Sequence, residues 1–339
     1  MISSFSQDVL NPLVRGTNLE REHARDALHE ILLGHVDGVL IASFLTALTA
    51  KGETADEMTG FIDAMMASAA TFSVGPNAID LVGTGGDQLH TVNISTMAAF
   101  AVAGCGVRVA KHGNRAASSS VGSADVLEAL GVRLDVEAST VQRCVEEAGI
   151  GFLFAPKFHP ALGHLAPIRR ELGFRTIFNV LGPLANPALV ERSLIGVAQR
   201  HLLGSMAQVL HARGIRYAIL VNADDGLDEL SLGSDSTLQV ITPEGIDVQR
   251  LDAAGVLGRR HDVTDLRGGD VADNVATVRS FLDGAPSPVF DVACANAGLA
   301  LMVAGVAGDL PEGFDLAVQN VRNGNAANAL AKLVALSNA

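Results

Sequence analysis

The sequence has no tryptophan, a single tyrosine and only three cysteines, Cys105, Cys144 and Cys294, in 339 residues. No cysteine stands in a C-x-x-C spacing, which argues against a disulfide framework or a zinc cluster and leaves the three as small buried hydrophobes. Charge is scarce as well: Asp, Glu, Lys and Arg make up 18%, and the formal net charge is −13. That balance disfavours an extended nucleic-acid surface, because counterion-release binding needs clustered lysine and arginine. A local basic pocket remains allowed. Long apolar runs are missing too: the longest, from Ala297, covers about a dozen small residues, short of the roughly 20 that span a bilayer. The opening MISSFSQDVLNPLVRG lacks a basic region followed by an apolar core, so the expectation is a cytoplasmic protein with no membrane partner.

What is plentiful is glycine, at 35 residues, within a chain that is 48% hydrophobic. This suits a compact α/β enzyme, and the length suits two domains or one domain with a smaller attached layer. From about Leu19 to Ala70, apolar residues recur at three- and four-residue spacing, which predicts an all-helical layer, with Thr54 and Glu57 as a capping box. After Pro76 the rhythm changes to short β-rich runs (AIDLV, VRVA, VRLDV, IGFLFA) alternating with helical stretches, the mark of parallel β-α-β units. Ser123 and Gly131 bracket one expected helix; Ser139 with Gln142 suggests a capping box on another, ended by Gly149. Residues 156–189 break the alternation with prolines and are expected to rejoin the helical layer. SLIGVA, YAILVNA, TLQVIT and helices near 271–284, 290–307 and 314–336 then restore the α/β pattern.

Residues 80–96, DLVGTGGDQLHTVNIST, place a glycine turn directly after a strand. The turn is not a dinucleotide fingerprint, since Gln88 stands where the third glycine is required, and no Gly-Lys-Ser/Thr follows to make a P-loop. Its glycines still let backbone N–H groups approach an anion, and the next helix offers its N-terminal end with Ser95 and Thr96. A plain strand-to-helix turn is the alternative. Asp87 beside a phosphate is repulsive unless a divalent cation or a substrate hydroxyl makes it useful.

The following loop, KHGNRAASSSVGS, carries Lys111, His112, Asn114, Arg115 and three serines, and would face the first across neighbouring strand ends; it reads either as phosphate donors or as a solvated polar loop. Asp228 and Glu229 follow the DDG turn. Two carboxylates converging to ~4 Å would repel by ~4 kcal/mol at an effective dielectric of ~20, so convergence makes sense around a cation, and a solvated acidic turn otherwise. Of Arg169, Arg170 and Arg175, one could grip a carboxylate in a bidentate pair, while surface coverage is expected of at least two.

Taken in order, GTGGD, NIST, KHGNRAASS, GSADVLEALG, FAPKFHPAL, RTIFNVLGPLANP and DELSL resemble the anthranilate phosphoribosyltransferases over nearly the whole chain. The resemblance implies transfer of phosphoribose from phosphoribosyl pyrophosphate to anthranilate, in tryptophan biosynthesis, with Mg2+ and a homodimer. It implies an α/β fold: a small α-helical domain, residues 1–71 completed by 160–189, and a large domain, 72–159 and 190–339, with a mainly parallel sheet. Phosphoribosyl pyrophosphate would be held by Gly83, Gly86, Asp87, Thr91, Asn93, Ile94, Ser95 and Thr96, together with Lys111, His112, Gly113, Asn114, Arg115, Ala116, Ala117, Ser118, Ser119 and Ser123. Anthranilate would meet Gly83, His112, Asn114, His159 and Arg169, and the metal Ser95, Asp228 and Glu229. Lys111 and Arg169 are the implied catalytic groups. Two departures from the family pattern are Gln88, where glycine is common, expected to stiffen the loop, and Gly163, expected to loosen anthranilate selection. A pyrimidine nucleoside phosphorylase and a non-catalytic nucleic-acid-binding paralogue are the alternatives.

Overall fold

The computed structural model describes residues 4–115 and 121–339. Helices Arg21–Leu32, Gly38–Lys51 and Ala55–Ala67 form the N-terminal layer. The Thr54–Glu57 capping box is present: the Glu57 N–H donates to the Thr54 hydroxyl at 3.3 Å, and the Thr54 N–H donates to the Glu57 carboxylate at 2.9 Å. That carboxylate is fully buried and also accepts from the Leu19 N–H and the Lys51 ammonium, each at 2.9 Å. One acid therefore ties three segments of the layer together.

A seven-stranded sheet follows, in the order β3-β2-β1-β4-β5-β6-β7. Its strands are β1 Ile79–Gly83, β2 Val109–Gly113, β3 Ile150–Phe154, β4 Arg192–Gly196, β5 Tyr217–Ala223, β6 Ser236–Thr242 and β7 Gly245–Leu251. The neighbours from β3 through β5 pair in parallel, while β6 and β7 are antiparallel. The sheet is thus mainly parallel, as expected. Strand β7 was not legible, because its residues are mostly exposed and its apolar alternation is limited to Ile246 and Val248.

Alternation along the strands feeds two large cores, and Ala110 of β2 and Leu153 of β3 feed a third, smaller one. Leu194 and Val221 pack on one face with helices Ile94–Gly104 and Pro288–Ala304, whereas Ile195 and Leu220 pack on the other with helix Leu203–Ala212 and the N-terminal layer. Leu165, Ile177, Phe178 and Leu181, from the proline-broken segment, belong to this second core.

Several local expectations fail for physical reasons. VRLDV is not a strand: Val132 and Leu134 are buried alternately, but from a loop that has no pairing partner. Helix Ala138–Glu147 starts one residue ahead of Ser139, its cap residue is Glu137, and no side-chain cap forms, so the Ser139–Gln142 box is absent. The Glu137 carboxylate instead pairs with Lys157 at 2.9 Å. By contrast, the helix expected between Ser123 and Gly131 is present as Ser123–Ala129, with Gly131 (φ 97°) just past its end and with Gly122 at the cap position, whose N–H donates to Asp125 at 2.9 Å. The last expected helix is divided at Gly324 into Leu310–Arg322 and Asn325–Ser337. Cys144 and Cys294 are buried, but Cys105 is only partly so.

The sheet order places β1 between β2 and β4, so the chain leaves β1 on one side and returns from β3 to the other. In an open α/β sheet, the crevice outside the carboxyl ends at such a reversal is where ligands bind. Replacing Glu57 with alanine would leave two backbone N–H groups without their acceptor and remove the countercharge of the buried Lys51 ammonium, which keeps only the neutral acceptors Asn18 Oδ1 and Gly52 O. Urea unfolding of Glu57→Ala should show a loss of about 3–5 kcal/mol.

Candidate active site

Gly83 ends β1 and is paired in register with Gly196, which ends β4. Neither position has room for a side chain: a Cβ on Gly83 would lie 2.6 Å from Asp228 Oδ2, and one on Gly196 would overlap the Asp228 backbone carbonyl. The loop after β5 consequently lies across both strand ends, and Asp228 accepts the Gly85 N–H at 2.8 Å. Beyond Gly86, Gln88 and His90 hold positive φ angles of 60° and 54°. A glycine would hold these angles without steric cost, so Gln88 puts strain into the turn. The far end of the turn is anchored by the Val92 N–H on Leu266 O at 2.9 Å and the Gly268 N–H on His90 O at 2.8 Å. The helix Ile94–Gly104 then starts with its first turn at the crevice.

Asp228 and Glu229 sit in this loop rather than in a strand, both buried, and they converge with Asp87. Burial, then the neighbouring Asp87, pushes the Asp228 carboxyl up to about 6. Burial and the adjacent Asp228 push Glu229 up to about 8, although the Ser95 N–H and the Lys111 charge both favour its ionised form. Asp87 Oδ1 accepts the Leu89 N–H at 3.2 Å, while its Oδ2 is buried without an N–H or O–H donor. Lys111 is fixed and 2% exposed: its ammonium donates to Leu81 O at 2.5 Å and to Ser95 Oγ at 3.1 Å. Burial lowers its pKa, opposed by the charges of Asp80 and Glu229. Asp80, on β1, accepts the His112 N–H at 3.1 Å and the Asn186 side-chain amide at 2.7 Å, a buried support that the motifs did not reveal.

The other wall comes from the proline-broken segment. His112 Nδ1 lies 3.1 Å from Gly182 O, and His159 Nε2 lies 3.2 Å from Ala185 O. A carbonyl only accepts, so each contacting nitrogen carries the proton. That leaves His112 Nε2 and His159 Nδ1 as bare lone pairs, both buried without partners, on rings whose centroids are 5.3 Å apart. Burial holds both imidazoles neutral and takes His112 down to about 3. The Arg169 guanidinium lies over the Phe178 ring, 5.4 Å from its centroid, and reaches Asn179 Oδ1 at 3.5 Å. Arg170 is exposed, but Arg175 donates to Thr84 O at 2.9 Å, inside the glycine turn. Two of the three arginines therefore reach the site, contrary to the surface expectation, because the segment folds back over the strand ends.

Most of these groups, though not Asp80, Arg170 or Arg175, line one cavity of about 310 Å³. It is bounded by Gly83, Gly86, Asp87, Thr91, Asn93, Ile94, Ser95, Lys111, His112, Gly113, Asn114, Arg115, Ser123, His159, Arg169, Asp228 and Glu229. Thr96 is not among the lining residues: it is 1% exposed, and one residue beyond Ser95 a helical side chain has rotated about 100° away. Arg115 borders the cavity, yet its guanidinium pairs with Asp125 at 3.0 Å and Glu128 at 2.8 Å. Ala116, Ala117, Ser118 and Ser119 lie outside the described residues. Gly163 does not line the cavity, and a Cβ there would meet only Pro160 O, at 3.2 Å.

Two family models match consecutive parts of the chain: a glycosyl transferase helical bundle domain over residues 7–69, and a glycosyl transferase a/b domain over residues 75–327. An anthranilate phosphoribosyltransferase of Thermomicrobium roseum is 48% identical over 336 residues, 98% of this chain and 97% of that protein. The chain belongs to the anthranilate phosphoribosyltransferase family. A crystal structure of the family's Thermus thermophilus member superposes with a TM-score of 0.92 at 39% identity, covering 98% of this chain and all of that one. The Saccharomyces cerevisiae anthranilate phosphoribosyltransferase, solved in complex with PRPP and Mg, superposes with a TM-score of 0.90 at 26% identity, covering 99% of both chains.

The close approach at Gly196 should be sensitive to one methyl group. Gly196→Ala should cost about 1–3 kcal/mol in chemical denaturation, as overpacking does. Gly204→Ala, where nothing stands within 4 Å, should be neutral or stabilising. The raised carboxyls set a pH dependence with a definite sign. Their folded pKa values exceed their unfolded ones, so ionising them costs the folded state, and the stability present below about pH 4 declines as pH rises. The decline for Asp228 is complete above about 6 and for Glu229 above about 8. Melting temperatures of the metal-free chain should fall from pH 6 to pH 8, and Glu229→Gln should flatten that fall.

Proposed function

We propose that the chain transfers the 5-phosphoribosyl group of phosphoribosyl pyrophosphate to the amine of anthranilate, giving N-(5-phosphoribosyl)anthranilate and pyrophosphate, in tryptophan biosynthesis. The observation that carries this reading is the convergence, in one crevice, of a glycine turn and helix start with three carboxylates, Asp87, Asp228 and Glu229. Backbone donors call for an anion there, and the acids call for a cation bound with it. The comparisons support this reading rather than a nucleoside phosphorylase or a nucleic-acid-binding paralogue.

The donor atoms fit magnesium. Asp228, Glu229, the undonated Asp87 Oδ2 and Ser95 Oγ are all hard oxygens. Among the described residues no group of three or more His, Cys, Asp or Glu could hold a metal by itself. That agrees with an ion that keeps waters and takes its remaining ligands from substrate phosphates. Bound there, magnesium would neutralise charge on the departing pyrophosphate. Backbone N–H groups of the glycine turn would meet the same charge, and Lys111 adds a fixed positive charge beside Ser95, so little reorganisation is required as the bond to the leaving group breaks.

Arg169 is assigned to the anthranilate carboxylate as a bidentate partner, oriented by its stacking on Phe178. Asn114 orients the ring, and the bare His112 Nε2 and His159 Nδ1 are acceptors for the amine hydrogens. The amine is thereby aimed at the anomeric carbon from the side opposite pyrophosphate. The two imidazoles act as acceptors rather than proton stores, since burial holds them neutral.

Residues 1–71 with 160–189 are taken as the helical domain and the remainder as the α/β domain, a division supported by the shared core of Leu165, Ile177 and Leu181 with the N-terminal helices. A homodimer is the proposed assembly, supported by the exposed Val14, Leu33 and Val39 in the N-terminal layer. The cytoplasm is the proposed location; no helix among the described residues is long and apolar enough to cross a membrane.

Loss of anthranilate fluorescence on mixing with phosphoribosyl pyrophosphate and magnesium tests the assignment. The wild type should turn over, and Arg169→Ala should raise KM for anthranilate by about tenfold or more, the worth of a charged bidentate contact. A wild type without turnover would overturn the function, and an unchanged KM in the variant would overturn the role of Arg169.

A further inference from the structure

We propose that Arg175 is a positioning residue for the donor half of the site, holding the glycine turn in its binding shape from the helical segment that also carries Arg169. This rests on the function proposed above. Arg175 stands on the short connection between helices Leu165–Leu172 and Phe178–Leu184, whose apolar residues pack in the core of the N-terminal helices. Its side chain leaves that layer and donates to Thr84 O at 2.9 Å.

The contact is shaped on both sides. Gly86 has φ +81°, and a Cβ there would overlap the Arg175 guanidinium, so the bare backbone at this position makes the room that the arginine occupies. Thr84 is itself tied to β4: its N–H donates to Gly196 O at 2.9 Å, and its hydroxyl accepts the Ala198 N–H at 3.1 Å. On the helical side, Asn179 Oδ1 accepts the Thr176 N–H at 3.0 Å, which fixes the connection beside Arg175 and lies within reach of Arg169. The carboxylates of Asp87 and Asp228 supply the opposite charge that lets a half-buried guanidinium stay in place.

The consequence is a division of labour within one stretch of chain. Arg169 faces the acceptor side of the cavity, and Arg175, six residues later, braces the turn that takes the donor. A shift of the helical layer relative to the sheet would move both together, so donor binding depends on that layer being docked. Arg175 touches the turn and not the reacting atoms, so its loss should act on affinity for the donor.

The test compares Arg175→Ala, Arg175→Gln, which keeps an N–H donor without charge, and Arg175→Lys, which keeps charge without the planar fork. Calorimetric titration with phosphoribosyl pyrophosphate and magnesium should show affinity lowered by about tenfold or more in the alanine variant, as expected for a charge-assisted hydrogen bond. KM for phosphoribosyl pyrophosphate should rise in parallel, KM for anthranilate should stay within about twofold, and lysine or glutamine should restore part of the affinity. Donor affinity within about twofold of wild type in all three variants, or an equal rise in both KM values, would overturn the proposal. Should the alanine variant fail to fold, the lysine and glutamine variants decide by the same two readouts. A wild type that neither binds the donor nor turns over sinks the function and this inference with it; wild-type turnover with unaltered variants sinks this inference alone.

Discussion

Asp228 rests on two strand ends that have no side chains. Gly83 and Gly196 are register partners at the carboxyl ends of β1 and β4, and both leave room for one aspartate, its carboxylate over the first and its backbone over the second. This close approach lets the loop after β5 cross the point where the sheet reverses its order, and so brings an acidic pair from the second half of the chain over a glycine turn from the first. Without it, the turn would be an anion cradle with nothing to recruit a cation.

The charges gathered there are poorly matched by the protein alone. Two buried carboxylates and the partly buried Asp87 crowd together, and Asp228 and Glu229 are driven toward their protonated forms. Lys111 and Arg175 answer part of that charge from below and from the side. A cluster with excess negative charge and an undonated oxygen on Asp87 is better completed by a hard cation brought in with a phosphate ligand than by any side chain present. The fold stores an unfavourable charge arrangement where a ligand can relieve it.

The wall built with the proline-broken segment uses the opposite principle. Two imidazoles are kept neutral by burial and fixed in tautomer by backbone carbonyls, so that they offer lone pairs to the cavity. An arginine spread on Phe178 supplies positive charge on that wall. Both come from, or lean on, the proline-broken segment, which shares the core of the N-terminal helices while closing over the sheet. A single excursion of the chain thus joins the helical layer to both halves of the site.

By itself, the sequence determined the elements whose signals are local: the N-terminal helices and the Thr54–Glu57 box, the glycine turn and the helix at Ile94, and the apolar runs of β1 through β6. It also carried the chemistry of the motifs, since residue types and spacing define what a loop can donate or accept. The strand expected at VRLDV and the cap at Ser139 failed because burial without a partner strand, and competition for the cap position, are decided by what lies across space. For the same reason Gly196, Asp80 with Asn186, and Arg175 were not legible: each acts through a contact with a residue between about thirty and more than a hundred positions away, and such contacts leave no periodicity in the chain. Only the tertiary structure, by reversing the sheet between β1 and β4 and folding the crossing segment back over their ends, decided which of the three arginines face the site, and that Asp228 and Glu229 converge instead of pointing into water.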